Sequence, residues 1–198
     1  MGKHNLELFV LACALLGACG GDGATMNENE VITTVILKFT PASGSAVTAT
    51  FNDPDGDGGA APTVDPVNLT AGNYTLAVQF QNRLASPQVE ITDEVREEQN
   101  FHLLLFTGSA IVGPATNNTT GPLTQSYGDM DDHGFPVGLT SMIVARAGTG
   151  QLIVTLRHMP PEEPPVKAAN TVMLAKTGGI DSIGGSTDAQ VTFNVTVP

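Results

Sequence analysis

Residues 73–81 read N-Y-T-L-A-V-Q-F-Q, and their alternation decides the fold class. Tyr74, Leu76, Val78 and Phe80 fall on one face of an extended chain, and Thr75, Ala77 and Gln79 fall on the other. A period of two over this length marks a strand with one buried face. The same grammar recurs on both sides. V-I-T-T-V-I-L-K-F-T at 31–40 is rich in β-branched residues, and S-A-V-T-A-T-F follows it after a Gly-Ser turn. P-Q-V-E-I-T, N-F-H-L-L-L-F, G-P-L-T-Q-S-Y, G-Q-L-I-V-T-L-R-H and D-A-Q-V-T-F-N-V-T-V continue the series, the last with Val191, Phe193, Val195 and Val197 on one face. The one helix-like run, 93–99, is too short to organise a core. About eight strands of this kind predict an all-β, Ig-like antiparallel β-sandwich.

The two halves of the chain echo each other. Phe51-x-Asp53-x-Asp55-x-Asp57-Gly58 aligns with Tyr127-x-Asp129-x-Asp131-x-His133-Gly134, and the strand Tyr74–Phe80 aligns with Leu152–His158. The spacing predicts an internal duplication, with pseudo-repeats over about 31–97 and 98–198 of one sandwich domain. One segment breaks the pattern. Residues 159–188 are rich in Pro and Gly, which predicts a long extended loop.

The N-terminus sets the compartment. Lys3 and His4 precede the apolar run from Leu8 to Leu16, which is too short to span a bilayer and has the length of a signal-peptide core. Leu16-Gly17-Ala18-Cys19 follows and resembles the lipobox of bacterial lipoproteins. The expected layout is a signal peptide over 1–18, acylation at Cys19 by palmitate-type chains, and a Gly-rich tether over 19–30. The only other cysteine, Cys13, falls in the signal, so the mature domain offers no disulfide, zinc–thiolate site or cysteine nucleophile. Removal of 1–18 takes one Lys and one Glu and leaves the net charge at −12. That acidity argues against nucleic acid and for cation binding. Five N-x-[ST] triplets read as Thr-rich strands and turns rather than glycan sites.

Three groups of side chains could carry chemistry. Asp53, Asp55 and Asp57 with Gly58 match the start of a calcium loop, in which hard oxygen ligands at alternate positions wrap one ion. Val64 stands where an EF-hand has its bidentate Glu, so a shorter inter-strand Ca2+ loop is the metal reading and an exposed Asx turn the alternative. Asp129, Asp131 and His133 form the second candidate, and the imidazole suits a transition metal better than calcium. His158 ends its strand on the apolar-face parity, and His102 lies in N-F-H-L-L-L-F. Together with Arg157 they are candidate ligand contacts, against the plainer reading of a strand-end histidine and structural ion pairs. No G-x-S-x-G, H-E-x-x-H or P-loop occurs, so the expectation is a non-enzymatic protein.

The lipobox, the D-x-D-G-D-G-G loop, the run Tyr127–Leu139 (Y-x-D-x-D-x-x-G-x-P-x-G-L), the L-R-H-x-P segment and the closing G-G-S-T-D-A-Q-V-T-F-N-V-T-V resemble a family of small bacterial lipoproteins over nearly the whole mature chain. Some of its members carry a type 1 periplasmic binding fold name, an α/β architecture, whereas this sequence shows no βαβ alternation. The resemblance implies a lipid-anchored envelope protein, on the outer membrane and facing periplasm or surface, with an outer-membrane protein as partner. Two functions follow as expectations: a binding or structural module stabilised by a divalent cation, or a solute- or metal-capture accessory to an outer-membrane transporter with His102, His133 and His158 near the cargo.

Overall fold

The computed structural model describes residues 31–56, 58–161 and 166–198. The expected signal peptide, Cys19 and the expected tether, as well as Asp57 and residues 162–165, lie outside the described residues.

The described residues are 46% strand and 11% helix, in two sheets. Four strands are two-residue contacts: β3 (Thr63–Val64), β4 (Val67–Asn68), β6 (Val89–Glu90) and β8 (Ile111–Val112). Eight are longer: β1 (Thr34–Pro41), β2 (Val47–Asn52), β5 (Gly72–Asn82), β7 (His102–Thr107), β9 (Leu123–Tyr127), β10 (Thr140–Ala145), β11 (Gly148–His158) and β12 (Ser186–Val197). The larger sheet runs β3-β2-β1-β5-β10-β9-β8, with β6 beside the end of β5. The smaller runs β4-β12-β11-β7. The architecture is the expected all-β sandwich. Pairing is antiparallel except at the short β4–β12 and β8–β9 contacts, which are parallel.

The alternation does what it predicts. Tyr74, Leu76, Val78 and Phe80 of β5 are buried, and so are Val191, Phe193, Val195 and Val197 of β12. They meet Leu37 and Phe39 of β1, Leu104 and Phe106 of β7, and Leu152, Val154 and Leu156 of β11 in one core. Each large apolar side chain so buried contributes about 1.5–3 kcal/mol. The other face of β7 packs Leu103 and Leu105 against Met159, Ala175 and Ile183 in a second, smaller cluster. Two covered faces explain why N-F-H-L-L-L-F shows no clean period.

The two halves interleave instead of forming matching units. β9 and β10 join the sheet of β1, β2 and β5, whereas β11 pairs with β12 and β7. The segment 159–188 is also not one extended loop. It holds α2 (Thr171–Gly178) and a 3-10 turn (Ile180–Ser182), and Ala175 seals the second cluster.

The short helix α1 (Ile91–Glu97), at the place of the helix-like run, matters more than its length suggests. Ile91 and Val95 enter the main core. The Thr92 hydroxyl accepts the Phe80 N–H at 2.8 Å and donates to the Phe80 carbonyl at 3.1 Å, which pins α1 to the end of β5. The chain then turns through residues 98–101 into β7, whose first residue is His102.

Candidate metal centre

The inward-facing rows of β7 and β11 end in imidazoles. Register pairs His102 directly with His158, and their rings stack with centroids 4.5 Å apart and planes 11° from parallel. The turn after α1 brings Glu98 to the same point. One ligand atom from each of Glu98, His102 and His158 lies within 4.8 Å of the others. Glu98 Oε2 is 3.8 Å from His158 Nε2. Exposure falls inward across the group: the Glu98 side chain is 33% exposed, His158 11% and His102 0%. An ion therefore has a path in from the Glu98 side.

The ring of His102 is set for ligation. Its Nδ1 faces the Glu98 carbonyl at 3.2 Å, and a carbonyl can only accept, so Nδ1 carries the proton and Nε2 the lone pair. Burial, His158 and Lys167 push the His102 pKa down to about 4, against the pull of the Glu98 carbonyl. A neutral imidazole is the form a metal takes. A tetrahedral ion with donors at about 2.0–2.2 Å holds them roughly 3.3–3.5 Å apart, so the three atoms must close by little more than about 1 Å. That closure turns one ring out of the stack.

A second carboxylate reaches the histidines from β12. Leu156 pairs with Ala189 and Arg157 with Thr187, which leaves Asp188 as the extra residue of a β-bulge. The Asp188 side chain is 1% exposed, and its Oδ2 lies 3.9 Å from His102 Nε2. Burial raises its pKa to about 6 despite His158, Ser186 and Arg157. Arg157 shapes the approach to the bulge. Its guanidinium donates to the carbonyls of Ile183, Gly184 and Gly185 and to the Thr187 hydroxyl. Gly185 has φ +80°, and a Cβ there would strike the His158 carbonyl, so only glycine lets this loop lie against β11.

The second acidic loop clamps the turn that carries Glu98 and His102. Asp129 accepts the N–H groups of Gly138 and Thr140 at 2.7 and 2.9 Å. Asp131 accepts those of His133 and Phe135 at 2.9 and 2.8 Å and meets Lys167 Nζ at 2.8 Å. Lys167 in turn donates to the carbonyls of Gln99 and His102, at 2.9 and 2.8 Å. Asp132 receives Gln99 and Asn100. Burial pushes the Asp131 carboxyl up, but Lys167 and the two N–H donors outweigh it and hold the group below its usual range. The Lys167 ammonium is drawn down by burial and held up by Asp131 and Asp129. The pair is ionised, and the ammonium occupies the cation position of this loop.

The other sequence candidates are placed differently. His133 is exposed, beside Phe135, and does not join the histidine pair. Asp53 and Asp55 sit in a solvent-facing turn, with Asp53 accepting the Asp55 N–H and Asp55 the Ala60 N–H. Asp65, farther along the chain, accepts the Thr50 N–H. Both acidic loops point to the same end of the larger sheet, because β2 and β9 finish toward the C-terminal end of β5. Four strand spacings of about 4.8 Å separate them, roughly 19 Å, so they share no ion. Lys167 pairs with Asp131. A cavity of about 230 Å³ under α2, lined by Leu105, Ile153, Ala175 and Ile180 among others, has no ionisable group on its wall.

Reasoning from the sequence missed Glu98 and Asp188 as members of the site. Glu98 lies in the helix-like run 93–99, and strict alternation along β12 puts Asp188 on the solvent side. Compared with known proteins, the chain matches no family model, no curated protein and no solved structure.

Proposed function

We propose that the protein is a non-enzymatic, lipid-anchored envelope module that captures a divalent transition-metal ion of the zinc class. The observation that carries this reading is the buried His102–His158 pair with Glu98 beside it. Imidazole with carboxylate suits zinc, nickel or iron, and the site contains no thiolate that would favour Cu(I). The lipobox at Cys19 supports a membrane anchor, and an outer-membrane uptake protein is the partner to which such a module would pass its ion. Calcium is the weaker reading. In this structure the oxygens of Asp129 and Asp131 are engaged by N–H groups and by Lys167.

The test is calorimetric titration of the detergent-solubilised full chain with Zn2+, Ni2+ and Ca2+. Zinc is expected to bind one ion per chain and to raise the melting temperature, and His158→Ala should abolish both effects. Absence of heat and of any melting shift with every ion would refute the reading.

A further inference from the structure

We propose that Asp188 is the fourth protein ligand of the same ion, so that the centre is closed by two imidazoles and two carboxylates. The inference rests on the metal reading of the histidine pair and goes beyond the triad of Glu98, His102 and His158.

Three observations carry it. The first is the bulge. In a regular strand, residues flanking Ala189 point away from the core. Ala189 packs against the main core, and the unpaired residue before it is turned inward as well, with its side chain 1% exposed. An added residue at a strand end that re-aims one side chain into a cluster of ligating groups is a built feature. The second is the state of that carboxylate. Its Oδ2 is buried and makes no hydrogen bond among the described residues, while Oδ1 receives only the Ser186 hydroxyl, at 3.4 Å. Arg157 adds positive potential nearby, but its Nη1 and Nη2 donors go to three carbonyls and a hydroxyl. A buried carboxylate oxygen left this way is costly unless a cation meets it.

The third is charge. Two neutral imidazoles and Glu98 around a divalent ion leave one net positive charge, in a buried place already near Arg157 and Lys167. Adding Asp188 brings the centre to neutrality. Glu98, one-third exposed, approaches His158, and the buried Asp188 approaches His102, so each imidazole has a carboxylate within 4 Å. Closed four-coordinate centres hold their ion, whereas catalytic ones keep a position open for water or substrate. The closed form fits capture.

Co2+ serves as the probe, because its visible absorption is strong when four-coordinate and weak when five- or six-coordinate. The full chain in detergent should bind one Co2+ with the strong spectrum. Asp188→Asn should weaken Co2+ and Zn2+ binding by roughly ten-fold or more and reduce the absorption to the weak form. A purely structural role for Asp188 would leave that spectrum unchanged. Zinc-edge X-ray absorption on the unaltered chain gives a check that needs no variant to fold: four N/O donors are expected, including two imidazoles. A wild-type count of five or six, or a variant with unchanged affinity and spectrum, overturns the inference and leaves the triad standing. Failure of the wild type to bind Co2+ or Zn2+ overturns both.

Discussion

At the scale of single residues, folding redistributes protons within the metal-free cluster. His102 has its pKa lowered from 6.5 to about 4, so the unfolded chain binds a proton there that the folded one refuses. Its contribution is full above pH 6.5 and is lost as the pH falls toward about 4, a change of roughly 3 kcal/mol. Asp188 runs the other way. Its pKa is raised from 3.8 to about 6, so the folded state gains stability as the pH falls through that window. The two nearly cancel between pH 4 and 6, and Asp131, lowered from 3.8, acts only below that range. Asp188→Asn should remove the cancellation. Its unfolding free energy, from urea titrations with chelator at about pH 6.5 and 4.5, should drop steeply toward acid while the wild type stays nearly level. A variant as flat as the wild type would mean that His102 is not the depressed group. The sequence showed part of this site. Alternation in L-I-V-T-L-R-H put His158 on the core face, because period-two patterning reports side. It could not show Asp188, because a bulge is a property of two strands in register, and one strand's sequence does not contain it.

At the scale of elements, Lys167 ties three segments together. It joins the loop between β9 and β10, through Asp131, to the turn between α1 and β7, through the carbonyls of Gln99 and His102. The Lys167 and Asp131 side chains are 2% and 0% exposed. Lys167→Met leaves a buried carboxylate without its cation and should cost about 3–5 kcal/mol in denaturant unfolding. Adding Asp131→Leu should recover part of that loss while leaving zinc affinity low, because the turn bearing Glu98 and His102 stays unclamped. Full recovery of zinc affinity in the double variant would limit Lys167 to a stabilising role. The elements differed in how far the sequence revealed them. β5, β11 and β12 were plain, since each is long with one buried face. β10 was not singled out as a strand: in T-S-M-I-V-A the inward positions are Ser141, Ile143 and Ala145, too mixed in polarity for a clear signal. α2 lay hidden in a Pro- and Gly-rich stretch, where composition outweighed a run of only eight residues.

At the scale of the whole molecule, the sandwich stands apart from its proposed anchor. No helix among the described residues is long and apolar enough to cross a membrane; the proposed attachment is at Cys19. Cys19→Ser should abolish incorporation of labelled palmitate and shift the protein out of the membrane fraction, with the zinc-binding heat unchanged. Retention of the label would place acylation elsewhere. The fold class was legible because alternation recurs along most of the chain; the distribution of strands between sheets was not, because pairing depends on contacts far apart in sequence. That distribution bears on timing. The smaller sheet is built around β11 and β12, which follow β7 in the chain. If the proposed signal peptide directs export of an unfolded chain, His102 crosses ahead of His158 and Asp188 crosses last. The donors cannot meet until β12 has begun to cross. The ion would then be taken from the far side of the membrane, and none would be carried out from the cytoplasm.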